Sequence, residues 1–235
     1  MSGSGRRAAI AAVRRIRHDP DFTVAEDIAT KDFLIEVVER ARSVFRAQWA
    51  LRGVVGHRIR FAERDVRVQF RSHCTIGSGS VVEQGAILRG LSRDGIRIGS
   101  GVTIGKYAIL ECSGSLGQLA KGITIGDSSS VGDYSYIGAA GGVFIGARVL
   151  MGQKVSLHSQ NHVFDDPDRP IQVQGTTEVG IVIEDDCWIG AGTIILDGVT
   201  VGHGSVLSAG TVITKDVPAG SVVAGVPGRV VRSRW

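Results

Sequence analysis

The sequence predicts a β protein built as a parallel β-helix, in which short strands stack into a triangular prism behind an N-terminal helical segment. A large aliphatic residue recurs every six residues over most of the chain, and a small or β-branched residue follows four positions later. Glycine is frequent, with 33 residues, whereas aromatic residues make up only 6%. A six-residue period does not fit the 3.6-residue turn of an α-helix, and Gly, Val, Ile and Thr disfavour helices. Short strands joined by tight turns fit all of these observations.

The aliphatic positions fall into groups of three hexads, and each group is expected to close one coil of the prism. The large side chains should point inward, and the small ones should pack beside them while backbone hydrogen bonds join the coils. The inward positions are Ile76, Val82, Leu88, Ile98, Ile104, Leu110, Ile125, Val131, Ile137, Ile145, Met151, Leu157, Ile183, Ile189, Ile195, Val201, Leu207 and Ile213. The small positions are Ser80, Ala86, Val102, Ala108, Ser129, Ser135, Val149, Val155, Cys187, Thr193, Val199, Ser205 and Thr211.

An amphipathic helix is predicted over residues 31–49, ahead of the repeat. We expect its apolar stripe to cover the exposed end of the prism, as terminal units of repeat proteins require; membrane-surface binding by this N-terminal helical segment is the alternative. The stripe consists of Phe33, Leu34, Val37, Val38, Ala41, Val44, Phe45 and Trp49. The opposite face carries Glu36, Glu39, Arg40, Arg42 and Arg46.

The six-residue period is interrupted only between hexads, so the interruptions should leave the prism at its corners. Two are short (Arg89–Arg97 and Ala139–Phe144), one is longer (Glu111–Gly122), and the longest is the insertion at 158–182. The chain is therefore divided into a helical segment (1–55), a β-helix domain with this insertion (56–218) and a basic C-terminal tail (219–235).

Composition limits the classes of partner and compartment. No apolar run reaches the length of about 18 residues that a membrane-spanning helix needs. The formal charge of +4 has no accompanying aromatic-basic platform or recognition helix, so small anionic molecules carrying phosphates are favoured over nucleic acid. Cys74, Cys112 and Cys187 share no metal-ligand spacing and are predicted to be buried fillers in a reducing compartment. A cytoplasmic protein, associated at most with the inner face of a membrane, is expected.

Four segments carry a resemblance to a known family: NHVFDDPDRP, IEDDCWIGAGTIILDGVTVG, SAGTVITKDVPAGS and AGVPGRVVR. Together they resemble the hexapeptide-repeat acetyltransferases, in particular the sugar and polysaccharide O-acetyltransferases, with maltose/galactoside and xenobiotic acetyltransferases as relatives. The resemblance covers residues 76–232 and implies a left-handed prism, acetyl-CoA as cosubstrate, no metal, and a homotrimer with sites between neighbouring copies.

The resemblance also implies roles for individual residues in the insertion. His162 matches the catalytic histidine, and histidine is the side chain best suited to accept a proton near neutral pH. His158, Asp165 and Gln174 are candidates for supporting the base or lining the acceptor site. Asp166 and Glu178 are similar candidates.

The coenzyme A residues that the resemblance implies lie after the insertion. Trp188 would flank the thioester, and Ala191 and Ala209 match small positions whose backbone contacts the pantetheine. Cationic side chains suit phosphates because they form charge-assisted hydrogen bonds. The positions matched to the phosphate region are Thr214, Lys215, Arg229 and Arg232.

The predicted function is therefore O-acetylation of a hydroxyl on a sugar, polysaccharide-like or other glycan acceptor. The region YIGAAGGVFIG lacks the asparagine with which the maltose/galactoside enzymes hold their sugar, so the acceptor is not transferable. N-acetylation of an amino-sugar nucleotide is the alternative within enzymes. A γ-class carbonic anhydrase would need a histidine triad, which His57, His73 and His203 do not suggest, and a purely structural β-helix would not need the insertion.

Overall fold

In the computed structural model, which describes residues 11, 28–56, 60–112 and 118–235, three parallel sheets form a left-handed β-helical prism. Helix α1 (Thr30–Ala50) precedes the prism. The first four coils are β1 (Val55–Gly56), β2 (Phe61–Ala62), β3 (Arg67–Gln69); β4 (Cys74–Ile76), β5 (Val81–Val82), β6 (Ile87–Arg89); β7 (Ile96–Ile98), β8 (Thr103–Ile104), β9 (Ile109–Glu111); β10 (Ile123–Ile125), β11 (Ser130–Val131) and β12 (Tyr136–Gly138).

The second half of the chain continues the same prism and adds two hairpins. The fifth coil is β13 (Val143–Ile145), β14 (Leu150–Met151) and β15 (Ser156–His158), after which the insertion carries the hairpin β16 (Asn161–His162) and β17 (Thr176–Thr177). The remaining strands are β18 (Ile181–Ile183), β19 (Trp188–Ile189), β20 (Ile194–Leu196), β21 (Thr200–Val201), β22 (Val206–Leu207), β23 (Val212–Ile213), β24 (Ser221–Ala224) and β25 (Arg229–Ser233).

Each complete coil contributes one strand to each of the three sheets. The first sheet runs β1-β4-β7-β10-β13-β18-β21, and the third runs β3-β6-β9-β12-β15-β20-β23. The second sheet runs β2-β5-β8-β11-β14-β19-β22-β24-β25, where β25 joins antiparallel to β24. We call the corner between the third sheet and the first sheet of the next coil the loop corner.

The inward ladder predicted from the six-residue period is confirmed at every position. All the predicted aliphatic residues are buried, and residues such as Ile137 and Leu157 pair in register between neighbouring coils. The predicted small positions are buried as well. Where the small residue is a serine, its hydroxyl joins two coils: Ser129 Oγ donates to the Gly146 carbonyl at 2.8 Å and accepts from the Val149 N–H at 3.0 Å.

Glycines follow many of the inward aliphatics because the next coil passes too close for a side chain. A Cβ on Gly126 would lie 2.6 Å from the backbone nitrogen of Ala147, which is below any real contact distance. The six-residue period of glycine in the sequence is thus a packing requirement between coils.

The prism begins one coil earlier than the sequence predicted. We expected the repeat to start at Ile76, whereas β1, β2 and β3 form a complete coil before it. The inward residues of this coil are Ala62 and Val68. Alanine at an inward position gives a weak aliphatic signal, which is why the period escaped detection here.

Helix α1 covers the end of the prism, as predicted, but with the opposite face. Ser43 and Ala47 of α1 are buried, as is Leu51 directly after the helix, and Ala47 and Leu51 belong to the core of the prism. The predicted contact stripe instead lies largely exposed, with Phe45 70% and Trp49 66% accessible. The polar face meets the prism through a backbone acceptor, because the Ala62 carbonyl accepts from Arg46 Nε at 3.3 Å.

All four interruptions emerge at the loop corner, where the connections 90–95, 112–122, 139–142 and 159–180 lie between consecutive coils. Two short 3-10 helices, Arg71–His73 and Ile171–Val173, also belong to segments that connect the third and first sheets. Insertions at one corner leave the stacked strands undisturbed, and they place several loops side by side.

The three cysteines are unpaired and buried, in agreement with the prediction that they fill the core. Burial raises the pKa of Cys74 to about 11 and that of Cys112 to about 12, so both thiols stay protonated near neutral pH. Within the described residues, no helix combines the length and apolar character needed to cross a membrane. The basic stretch Arg6–Arg17, His57 and part of the Glu111–Gly122 connection lie outside the described residues.

Candidate active site

The long insertion forms a hairpin that carries His162 away from the prism. Strand β16 pairs antiparallel with β17, which sets His162 opposite Thr176. The side chain of His162 is exposed. Across the described ranges, no hydrogen bond or ion pair engages its imidazole ring, so both ring nitrogens are open to a ligand.

Gln174 organises the hairpin from within. Its side-chain oxygen accepts the Asp166 N–H at 3.1 Å, and its side-chain nitrogen donates to the carbonyls of Asp166 and Arg169, each at 2.8 Å. The amide group is therefore occupied by the loop itself. Gln174 therefore holds the hairpin loop in position. Asp165 is exposed and forms no hydrogen bond or ion pair with His162.

The return of the insertion to the prism is fixed by Asp197, a residue that sequence reasoning missed. Its carboxylate accepts the Val179 N–H at 3.0 Å and the Gly180 N–H at 2.7 Å. Asp197 directly follows β20 at the loop corner, so the coil below the hairpin holds the hairpin's base. Its position at a corner next to an insertion was the only sequence signal for this role.

His158 lies on the outer face of the third sheet, one strand from Tyr136. The two rings are 5.6 Å apart between centroids, and the Ser156 hydroxyl is 2.8 Å from His158 Nε2. His158 thus already has neighbours on its own sheet, in contrast to His162. The structure brings both histidines to the loop corner but gives them different surroundings.

Tyr136 belongs to a polar row that also escaped sequence reasoning. Arg89, Glu111, Gly138 and His158 occupy equivalent positions on consecutive strands. Arg89 donates to Glu111 at 2.8 Å; its side chain is 46% exposed and that of Glu111 only 11%. Burial, followed by the Glu111 carboxylate, raises the pKa of the Tyr136 phenol.

Gly138 makes room for Tyr136 in this row. A Cβ at position 138 would lie 2.9 Å from the Tyr136 ring, so the absent side chain allows the ring to lie across the row. Tyr136 directly precedes the inward residue Ile137, so its side chain points outward from the prism. This outward position in the repeat was the sequence signal that could have identified it. The row runs from Arg89 on β6 to His158 on β15, where the hairpin begins, and it carries guanidinium, carboxylate and hydroxyl groups along its length.

The residues predicted to contact pantetheine lie on a different side of the prism. Trp188 is on the outer face of the second sheet, between Leu150 and Val206, and is 54% exposed. Ala191 and Ala209 follow at the next corner in consecutive coils and are exposed; the Ala191 carbonyl accepts the Gly210 N–H at 2.8 Å. We call the exposed surface formed by Trp188, Ala191 and Ala209 the outer strip, or the strip around Trp188.

The predicted phosphate residues gather at the C-terminal end of the prism. Lys215 and Arg229 line one shallow cleft, together with Asp216, whose carboxylate accepts the Thr200 N–H at 2.7 Å. Thr214 is exposed directly before Lys215. Arg232 lies on the exposed strand β25 and does not line this cleft.

A single chain does not bring His162 and Trp188 together. In a triangular prism, the corner between the third and first sheets is the vertex opposite the second sheet. His162 extends from that vertex, and Trp188 stands on the opposite side. The two predicted parts of the site therefore lie on opposite sides of one prism.

In the described part of the chain, no group of three or more His, Cys, Asp or Glu side chains is arranged to hold a metal ion. His203, one of the histidines considered for a triad, has its Nδ1 atom 3.8 Å from the Asp186 carboxylate. That carboxylate is bound by Arg148, which lowers the pKa of Asp186.

Comparison with known proteins supports the repeat and the fold. A family model described as the hexapeptide repeat of succinyl-transferase matches residues 180–215. The solved structure of a variant of AntD, an N-acyltransferase from Bacillus cereus in complex with dTDP-4-amino-4,6-dideoxyglucose and coenzyme A, aligns with a TM-score of 0.53. That alignment covers 88% of this chain and 90% of the other, at 16% identity, and shows a shared fold.

Two curated relatives match over shorter stretches. A Schizosaccharomyces pombe protein, named as an inferred acetyltransferase, is 38% identical over 90 residues, which cover 38% of this chain and 42% of the relative. A 2,3,4,5-tetrahydropyridine-2,6-dicarboxylate N-acetyltransferase of Staphylococcus aureus is 54% identical over 52 residues, 22% of either chain. The chain thus spans less than half the length of the curated relatives it matches.

Replacing Asp197 by alanine should loosen the base of the hairpin, because the Val179 and Gly180 N–H groups lose their acceptor. We expect these two amides to exchange hydrogen at least about tenfold faster, since a hydrogen bond to a charged acceptor contributes about 1.5–3 kcal/mol. Hydrogen–deuterium exchange measures this directly, and Asp165→Ala is the matched control. Unchanged exchange in Asp197→Ala would show that the hairpin is held by other contacts.

Proposed function

Because this chain is a hexapeptide-repeat protein with the left-handed β-helix of the acyltransferases, we propose that it transfers acetyl from acetyl-CoA to an acceptor hydroxyl. The observation that carries the proposal is His162. It lies on the first strand of an internally braced hairpin, and the described part of its own chain leaves its ring unbound. A histidine held this way suits a proton acceptor in a site completed by another molecule.

The proposed reaction is direct transfer. An imidazole nitrogen of His162 accepts the proton of the acceptor hydroxyl while the oxygen attacks the carbonyl carbon of the thioester. The resulting tetrahedral species collapses with cleavage of the carbon–sulfur bond, and the thiolate of coenzyme A receives the proton from His162. The products are an acetyl ester and free coenzyme A, and the histidine returns to its neutral form.

The coenzyme A arm fits the outer strip of the second sheet. Trp188 offers an exposed aromatic surface. Because Ala191 and Ala209 have small side chains, an extended chain can lie close to the backbone at this corner. The strip leads toward the C-terminal end of the prism, where Lys215 and Arg229 line one cleft. Their charges suit the phosphates of coenzyme A, with Thr214 and Arg232 nearby in the chain.

We further propose that the active unit is a homotrimer with sites between neighbouring prisms. His162 of one copy would reach the strip around Trp188 of the next, because the two lie on opposite sides of a single prism. Closed cyclic assemblies give every copy the same contacts, so three prisms would form three equivalent sites. We also place the protein in the cytoplasm, since its three unpaired cysteines suit a reducing compartment.

The acceptor surface is proposed to be the polar row of the third sheet. Tyr136 and His158 lie at the loop corner from which the hairpin of His162 leaves, and Glu111 and Arg89 continue the row. Hydroxyl, carboxylate and guanidinium groups in line suit a sugar or glycan with many hydroxyls. Asp165, exposed on the hairpin, is a further candidate for contact with the acceptor.

N-acetylation is the second candidate, because the relative from Staphylococcus aureus is named an N-acetyltransferase and AntD an N-acyltransferase. A panel of sugars, glycans and amino-sugar nucleotides, incubated with acetyl-CoA, identifies the acceptor by release of free thiol. Hydroxylamine then distinguishes the products, since it cleaves acetyl esters but not acetamides. A hydroxylamine-resistant product would replace the O-transfer assignment, and no thiol release with any acceptor would contradict acetyl transfer.

Replacing His162 by alanine should lower kcat by about 100- to 10,000-fold, the range typical of losing a general base. Affinity for coenzyme A, measured by calorimetry, should stay within about twofold of wild type, because the ring contacts the reacting atoms only. His158→Ala is the matched control and should lose less, since His158 lies on the sheet beside Ser156. Wild-type kcat in His162→Ala would remove it from the mechanism.

Replacing Lys215 and Arg229 together by alanine should raise the KM for acetyl-CoA by about tenfold or more, because charge-assisted hydrogen bonds to phosphate are lost. The KM for an acetyl-pantetheine thioester, which has no phosphates, should not change. Arg97→Ala, an exposed arginine on β7, serves as the control. An equal rise for both thioesters would contradict phosphate binding in this cleft.

A further inference from the structure

Helix α1 presents an apolar stripe to the outside of the molecule. Leu34, Val38, Ala41, Phe45 and Trp49 are exposed, and Phe45 and Trp49 are 70% and 66% accessible. Their spacing of three and four residues aligns them along one side of the helix. The prism is contacted by the other side, through Ser43, Ala47 and Leu51.

The charges of α1 are divided between the two sides. Asp32, Glu36 and Glu39 project toward the side that packs on the prism, and Glu36 and Glu39 line a cleft against it. At 100° per residue, Lys31 and Arg42 are the ionisable residues that border the outer stripe. Arg42 also donates to Glu39 at 2.5 Å, which gives this carboxylate a partner on its own helix.

This pattern favours a lipid surface over a second copy of the helix. A second α1 stripe packed on this one would offer Lys31 no carboxylate, because Asp32, Glu36 and Glu39 lie toward the other side of the helix. An anionic bilayer instead attracts cations that flank apolar side chains, and Trp and Phe are well suited to its interface. The sequence before α1 adds the cations Arg6, Arg7, Arg14, Arg15 and Arg17.

The position of α1 leaves the proposed active site free. The helix covers β2, the first strand of the second sheet, whereas Trp188 lies on β19, five strands further along. At about 4.8 Å per strand, the two are separated by about 24 Å along the prism. A surface that contacts α1 therefore does not cover the strip around Trp188.

We propose that the outer stripe of α1 docks the protein on an anionic lipid bilayer. The stripe enters the interface between headgroups and acyl chains, with Phe45 and Trp49 as anchors and Lys31 and Arg42 beside the headgroups. The prism then stands on the membrane by its first coil and holds the acetyl-transfer site away from the surface.

The test is flotation of the full chain with vesicles of phosphatidylcholine alone or of phosphatidylcholine and phosphatidylglycerol in a 7:3 ratio. The test variant is Phe45→Ser with Trp49→Ser. The matched control is Phe144→Ser with Val182→Ser, another exposed apolar pair, which is in register on adjacent strands of the first sheet. Oligomer mass is measured by light scattering for each protein.

The proposal expects wild type and the control pair to float with the phosphatidylglycerol vesicles, and to bind at least about tenfold less in high salt or to phosphatidylcholine alone. The Phe45/Trp49 variant should bind at least about tenfold less while keeping its oligomer mass. Two results would overturn the proposal: wild type that stays with the soluble fraction, or a Phe45/Trp49 variant that dissociates, which would assign the stripe to a second copy. A protein that floats with the vesicles but does not transfer acetyl would contradict the proposed function and leave the docking proposal standing.

Discussion

Stacking of identical coils at one strand spacing is the constraint on which the rest of this structure depends. Each coil lies about 4.8 Å from the next, so every inward side chain must fit a ladder of similar side chains above and below it. The same spacing excludes a Cβ at Gly126 and uses buried hydroxyls such as that of Ser129 to join coils. Additional residues are tolerated where the ladder turns, and in this chain they all leave at one corner.

The loop corner carries the hairpin on which we propose the catalytic residue His162. The hairpin with His162 needs bracing of its own, which Gln174 supplies from within and Asp197 supplies from the coil below. The polar row from Arg89 to His158 lies beside it because equivalent strand positions on successive coils align in register. Trp188 lies on the second sheet and the basic cleft lies at the C-terminal end of the prism, so the site that we propose needs a neighbouring copy.

Sequence reasoning reached the repeat because an inward residue every six positions is a strict packing demand, visible from Ile76 to Ile213. It missed the first coil, where Ala62 satisfies the same demand without looking hydrophobic, and it assigned the wrong face of α1 to the prism. An apolar stripe on a helix predicts a contact surface but does not identify what contacts it. Phe45 and Trp49 were therefore wrongly assigned to the contact with the prism. Tyr136 and Asp197 escaped notice because their roles arise from residues about 20 positions away that the coils bring together.

The most direct measurement of a site shared between copies is activity in mixed assemblies of two inactive variants. One variant carries His162→Ala, and the other combines Trp188→Ala with Lys215→Ala and Arg229→Ala. If each site takes His162 from one copy and the coenzyme A strip from the next, random mixing in equal amounts should restore about a quarter of wild-type activity. Activity no higher than the sum of the two parents would contradict a shared site and return the whole reaction to a single chain.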